Sequence, residues 1–168
     1  KLASSLPINV QLLNKEYDMC SVHSKEGRRL LLKKIFKSLF MKGNVIKLFP
    51  YLVKNTCRMV KNKRFLPEKI MWRVLADGAE VFDNTYDLAV AYIEGGAAYY
   101  VAKHVKAKRK IAFLHIDFNL AGYSRMLDED CYLQFDKVYA ISQEVRDTFE
   151  NVYPECKSKT ELFNNIIN

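Results

Sequence analysis

Residues 110–118 read "KIAFLHIDF", an apolar run that closes on His115 and Asp117. An imidazole and a carboxylate two positions apart lie on one side of an extended strand. If the strand runs through to Asp117, the carboxylate can fix the tautomer of the ring, which suits proton handling or hydrogen bonding to sugar hydroxyls. The plainer alternative is a histidine satisfied by backbone groups and an aspartate that caps the next turn. A second candidate is "EGG", where Glu94 precedes Gly95 and Gly96. A helix opening there would turn free N–H groups toward an anion or a hydroxyl. Neither the dinucleotide pattern G-x-G-x-x-G nor the phosphate-loop pattern G-x-x-x-x-G-K-[ST] occurs. Ser142 reads first as a helix cap. The scattered cysteines Cys20, Cys57, Cys131 and Cys156 form no C-x-x-C pair, so neither a zinc site nor a disulfide framework is expected.

The elements around these residues repeat strand, turn and helix. "YDLAVAYI" (86–93) is nearly continuous in apolar residues, as a strand covered on both faces would be. "EGGAAYYVAKHV" turns into a helix, "KIAFLHI" is the next strand and "YSRMLDEDCYLQF" a short helix. "DKVYAI" is a third strand, "SQEVRDTFENVY" a helix and "TELFNN" a last short strand. Strands separated by single helices call for right-handed crossovers and a parallel, doubly wound sheet, an α/β fold. Ligands of such sheets bind beyond the carboxyl ends of the strands. Glu94 and Gly95, His115 and Asp117, Ser142, and Asn164 with Asn165 all fall at that edge, which favours chemistry over the plainer alternative.

The first half differs in kind. Residues 28–73 hold fourteen Lys and Arg against Glu68 alone, whereas residues 74–168 hold ten against fifteen acids. "LPINVQLL" (6–13) reads as an edge strand. Leu31, Leu32, Ile35, Phe36, Leu39 and Phe40 recur at helical spacing, with Lys33, Lys34, Lys37 and Lys42 mainly on the other side. A second basic helix is expected over 45–63, and a third from Pro67 to about Phe82 with Ile70, Met71, Val74 and Leu75 on one face. Basic helices that also carry Phe, Leu and Met suit an anionic membrane surface, with nucleic acid the competing polyanion. No apolar run approaches the about 20 residues that span a bilayer.

Taken together, "YDLAVAYIEGGAAYYVAKHVKAKRKIAFLHIDF", "FDKVYAISQEVRDTFENVYPECKSKT" and "LFNNIIN" resemble the acceptor-side, N-terminal domain of family 4 type retaining glycosyltransferases of the GT-B fold. Those enzymes often carry "YDVAIAY-x-G", "K-x-A-x-K-K-I-x-W-x-H-x-D", "FDKIVCVS" with "F-x-x-x-F-P", and "V-I-x-N-x-I-D". The likeness covers about residues 86–168 in order, with Phe113 in place of the common tryptophan. Residues 1–85 match more loosely.

The resemblance implies a Rossmann-like parallel sheet with flanking helices over 86–168, half of a GT-B fold, and a membrane-facing basic helical region over 26–82. It implies transfer of a sugar from a nucleoside-diphosphate sugar to a saccharide or lipid-linked acceptor, with retention and without a bound metal or other cofactor. The setting would be surface polysaccharide or glycolipid synthesis at the cytoplasmic face of a membrane. By the same likeness His115 and Asp117 are the catalytic pair and Gly95, Ser142 and Asn165 bind substrate; from the residues themselves Glu94 joins the substrate-binding candidates, and Lys33, Lys34, Lys37 and Lys42 are the lipid-facing lysines of the basic helices. The donor-binding domain, with its E-x7-E motif, and the opening strands of the acceptor domain would lie outside these 168 residues, leaving the piece inactive alone. The exposed "DLAVAYI" edge is then expected to be closed by local rearrangement or by a second copy. A noncatalytic basic module holding RNA or a protein, or a sugar-nucleotide epimerase of GT-B form, are the alternatives.

Overall fold

The computed structural model describes residues 7–13, 25–37, 40, 45, 46, 49, 50, 53, 56, 57, 60 and 67–163. Helices α1 (Lys25–Phe36) and α2 (Pro67–Gly78) lead into β1 (Thr85–Ala91), α3 (Gly96–His104) and β2 (Lys106–Leu114). The short helices α4 (Phe118–Ala121) and α5 (Arg125–Asp128) and a 3-10 turn at Cys131–Gln134 follow. Then come β3 (Lys137–Ala140), α6 (Gln143–Val152), a 3-10 segment at Pro154–Lys159 and β4 (Thr160–Leu162). The four strands are all parallel, in the order β1-β2-β3-β4. The expected α/β class with a parallel sheet is present.

The sheet is wound in one direction only. When strands follow one another in chain order, right-handed crossovers lay every connection on the same face. Ala89, Ala91, Ala112, Leu114, Val138 and Ala140 accordingly join Tyr99, Val101, Phe118, Val145 and Phe149 of the helices in a single core. Small alanines in the strands let the helices approach, and the large aromatics come from the connections. The opposite face carries Leu88, Val90, Tyr92, Ile111, Phe113, Tyr139 and Phe163, of which Tyr92 is 68% exposed. Their rings touch in a row, Tyr92 to Phe113 at 5.3 Å and Phe113 to Tyr139 at 5.2 Å between centroids. Among the described residues no helix covers this second face.

Other boundaries shift for local reasons. Residues 7–13 form a turn and coil, not the expected edge strand, and Leu6 lies outside the described residues. β2 begins at Lys106, because the basic run before "KIAFL" is itself extended. Lys108 Nζ reaches Asp87 Oδ1 at 2.7 Å, and Lys110 Nζ donates to the Ala102 carbonyl. Helix α2 stops at Gly78, short of Phe82, and a Cβ on Gly78 would stand 2.8 Å from the Lys34 carbonyl oxygen of α1. Lys34 thus lies on the side of α1 that meets α2. "YSRMLDEDCYLQF" folds as two short pieces, separated by Glu129 and Asp130 with positive φ. In the second basic stretch the described residues Val45, Ile46, Phe49, Val53, Thr56, Cys57 and Val60 are helical.

One buried polar cluster ties the helices together. The Asp128 carboxylate, fully buried, accepts from Tyr99 Oη at 2.6 Å and Tyr153 Oη at 3.2 Å. Arg73, 1% exposed, donates to the Leu127 carbonyl at 3.0 Å and pairs with Asp77 and Glu129. Burial pushes the Asp128 carboxyl up to about 7, against the pull of the two tyrosine hydroxyls and Arg73. A folded-state value above the ordinary 3.8 means that folding takes up a proton. That contribution is complete below the unfolded value and is lost as pH rises through about 7. Denaturant midpoints between about pH 5 and 8 are expected to show this loss, at up to about 1.4 kcal/mol per pH unit, and Asp128→Asn should flatten it. A stability contribution from Asp128 that rises over this range would contradict the assignment.

Candidate functional site

The carboxyl ends of the strands lie at one edge, and the register shows how closely. Ala91 pairs with Ala112, while Ala140 pairs with Leu114 of β2 on one side and Leu162 of β4 on the other. Beyond Leu114 the Glu94 carboxylate takes over from the sheet, accepting from the His115 backbone N–H at 2.8 Å. It thereby ties the exit of β1 to the exit of β2. The same oxygen stands 3.8 Å from His115 Nδ1, and the Glu94 side chain is only 7% exposed. Nδ1 is buried with no hydrogen-bond partner, whereas the His115 side chain as a whole is 26% exposed. Tyr92 completes the group, its ring centroid 5.5 Å from that of His115.

The expected pairing of His115 with Asp117 on one strand face is corrected. β2 ends at Leu114, and the Asp117 carboxylate caps α4 by accepting from the Leu120 N–H at 2.7 Å. A short helix starting immediately after the strand needs an acceptor for its first N–H groups, and Asp117 is the nearest. The acid beside His115 is Glu94, from the turn that follows β1. Ser142 does cap α6, accepting from the Val145 N–H at 3.3 Å. The Ile141 N–H donates to the Leu114 carbonyl, so Ser142 and His115 follow adjacent strand ends. Asn165 lies outside the described residues.

Gly95 has a packing task. Its φ is +75°, and a Cβ there would meet the Tyr123 hydroxyl at 2.9 Å and the Trp72 indole at 3.5 Å. Gly96 is similarly close to the same indole, at 3.0 Å. The turn into α3 is thus pressed beneath Tyr123 and Trp72, a pair that periodicity alone did not single out. Burial, with Glu94 and Asp128 nearby, pushes the Tyr123 hydroxyl well above its ordinary range. Tyr92 was also missed. Its signal was present in the two-residue spacing Val90, Tyr92, Glu94, which carries the outer face to the strand exit.

The basic side chains divide. Lys33 and Lys37 are exposed, Lys34 is half-buried, and Lys42 lies outside the described residues. Leu32 (65%), Phe36 and Phe40 (63% each) are exposed beside them, with the two phenylalanine rings 4.7 Å apart. Ile46, Phe49, Val53 and Val60 of the next helical stretch are exposed as well. Among the described residues no three His, Cys, Asp or Glu side chains converge as metal ligands would, and no helix is long and apolar enough to cross a membrane.

Fold and site together define an α/β protein of Rossmann-like build, with its polar groups gathered at the carboxyl edge of a parallel sheet. No family model, curated protein or solved structure matches the chain. The site therefore stands on its own geometry. The strain at Gly95 gives a direct check. Gly95→Ala is expected to cost about 1–3 kcal/mol in denaturant midpoints, since it adds a side chain at positive φ. Tyr123→Phe in that background should recover only the part owed to the hydroxyl. Full recovery would mean that φ contributes nothing.

Proposed function

We propose that this chain is the acceptor-side domain of a retaining glycosyltransferase of the GT-B type, using a nucleoside-diphosphate sugar and a saccharide or lipid-linked acceptor. The observation that carries the proposal is the convergence of Glu94 and His115 at the carboxyl edge of the sheet. A carboxylate beside Nδ1 favours the tautomer with the proton on that nitrogen, leaving Nε2 as an acceptor for a sugar hydroxyl. The Tyr92 ring next to it supplies the flat apolar wall that a sugar's C–H face packs against, as ligand sites combine apolar walls with a few placed polar groups. The family resemblance of residues 86–168 supports the same reading, with Glu94 in the supporting role expected of Asp117.

The domain that binds the nucleotide would be supplied by polypeptide outside these 168 residues, and its positive groups would meet the leaving diphosphate. In a polypeptide carrying both domains, His115→Ala is expected to lower the rate of nucleoside-diphosphate release by about 100-fold. Asp117→Ala should leave that rate within a few-fold while costing about 1 kcal/mol of stability, the worth of a helix cap. Equal turnover with and without the imidazole would remove His115 from the mechanism.

The exposed apolar residues of the basic helices support a membrane-bound setting at the cytoplasmic face. Phe36, Phe40, Ile46 and Phe49 beside lysines form the mixed surface that enters the headgroup region. Vesicles containing about 30% anionic lipid are expected to float the chain, and neutral vesicles to leave it behind. Indifference to anionic lipid together with salt-sensitive RNA binding would favour the noncatalytic basic module instead.

A further inference from the structure

Helix α2 is anchored to the rest of the molecule along one face. Arg73 (1% exposed), Val74 (2%), Ala76 and Asp77 point inward, at the three- and four-residue spacing of a helix side. Arg73 is held there by the Leu127 carbonyl at 3.0 Å and by Asp77 and Glu129. Trp72, which precedes this set, falls at its flank and lies against the turn that follows Glu94, 46% exposed. The indole Cδ1 stands 3.5 Å from the Cβ position of Gly95, and Cε3 stands 3.0 Å from that of Gly96, so a side chain at 96 would crowd the ring. The Tyr123 hydroxyl borders the same turn, and the carboxylate that supports His115 comes from the residue just before it.

We propose that Trp72 is a wall of the acceptor site: a neutral pyranose ring of the acceptor lies on the indole, and its hydroxyls reach Glu94 and His115 across the Gly95 turn. The face of an aromatic ring carries partial negative charge, and the C–H groups of a pyranose, drawn positive by their oxygens, pack on it. The Glu94 carboxylate accepts from sugar hydroxyls and repels phosphate, which selects a neutral ring. Tyr92 belongs to the outer face of the sheet and Trp72 to the helical layer, so the two rings bracket the turn that carries Glu94. A flat apolar wall with a few placed polar groups is the usual make-up of a small-ligand site. This inference rests on the glycosyltransfer reading and adds to it the place and the charge of the acceptor sugar.

Trp72 is the single tryptophan of the chain, so its fluorescence reports this place alone. Titration with methyl pyranosides and neutral disaccharides is expected to give a saturable emission change at about 1–50 mM for at least one of them, and none with glycerol. The corresponding sugar phosphates should bind more weakly. NMR signals of the His115 ring should shift along the same curve. Trp72→Ala is expected to weaken the dissociation constant read at His115 about tenfold, and Trp72→Phe, which keeps a flat ring, to stay within about threefold of wild type. Circular dichroism spectra should be unchanged in both, since the position is exposed. A saccharide response at His115 that is equally strong in Trp72→Ala overturns this inference and leaves the glycosyltransfer reading in place, as does tighter binding of the sugar phosphates. Silence at both residues overturns the inference and counts against the reading as well. An emission shift with vesicles of about 30% anionic lipid, but not with saccharides, assigns the indole to a lipid-facing surface and overturns it too.

Discussion

Everything distinctive about this molecule follows from parallel strands laid down in chain order. A parallel pair needs a crossover, the crossover is right-handed, and a run of such units without reversal builds outward in one direction. Helices then collect on one face and strand exits on one edge. The same constraint sets the aromatic row from Tyr92 to Phe163 on the opposite face.

Within that frame, two carboxylates hold the parts together in different ways. Asp128 is buried among hydroxyls and fastens α3, α5 and the turn after α6 around one point, with Arg73 bringing in α2. Glu94 works at the rim. It closes the gap where β1 and β2 separate, and in doing so it sets a charge beside a partly open imidazole. A single side chain thus links sheet geometry to the imidazole. That is why His115 is held although its strand has already ended.

Much of the fold was legible from local pattern. The apolar run "YDLAVAYI", the glycines that follow it and the serine before "QEVRDTF" mark strand, turn and helix cap through ordinary backbone chemistry. The site was legible only as an edge. Two-residue spacing suggested a partnership between His115 and Asp117, but the need to cap α4 claimed the aspartate, and the partner came from 21 residues earlier through strand register. Register, like the one-sided winding, is a long-range property that periodicity within a strand does not encode. The start of β2 was less legible: the apolar run begins at Lys110, whereas the strand already includes Lys106 and Lys108, whose partners Asp83 and Asp87 lie in or just before β1.

The central claim is that Glu94 sets the state of His115 at the carboxyl edge of the sheet. Nitrogen NMR of the His115 ring tests it most directly, because the two ring nitrogens report separately which one carries the proton. At a pH where the ring is neutral, the account expects the proton on Nδ1 in the wild-type chain and a shift toward the other tautomer in Glu94→Gln. A ring that carries its proton on Nε2 in both proteins would contradict it.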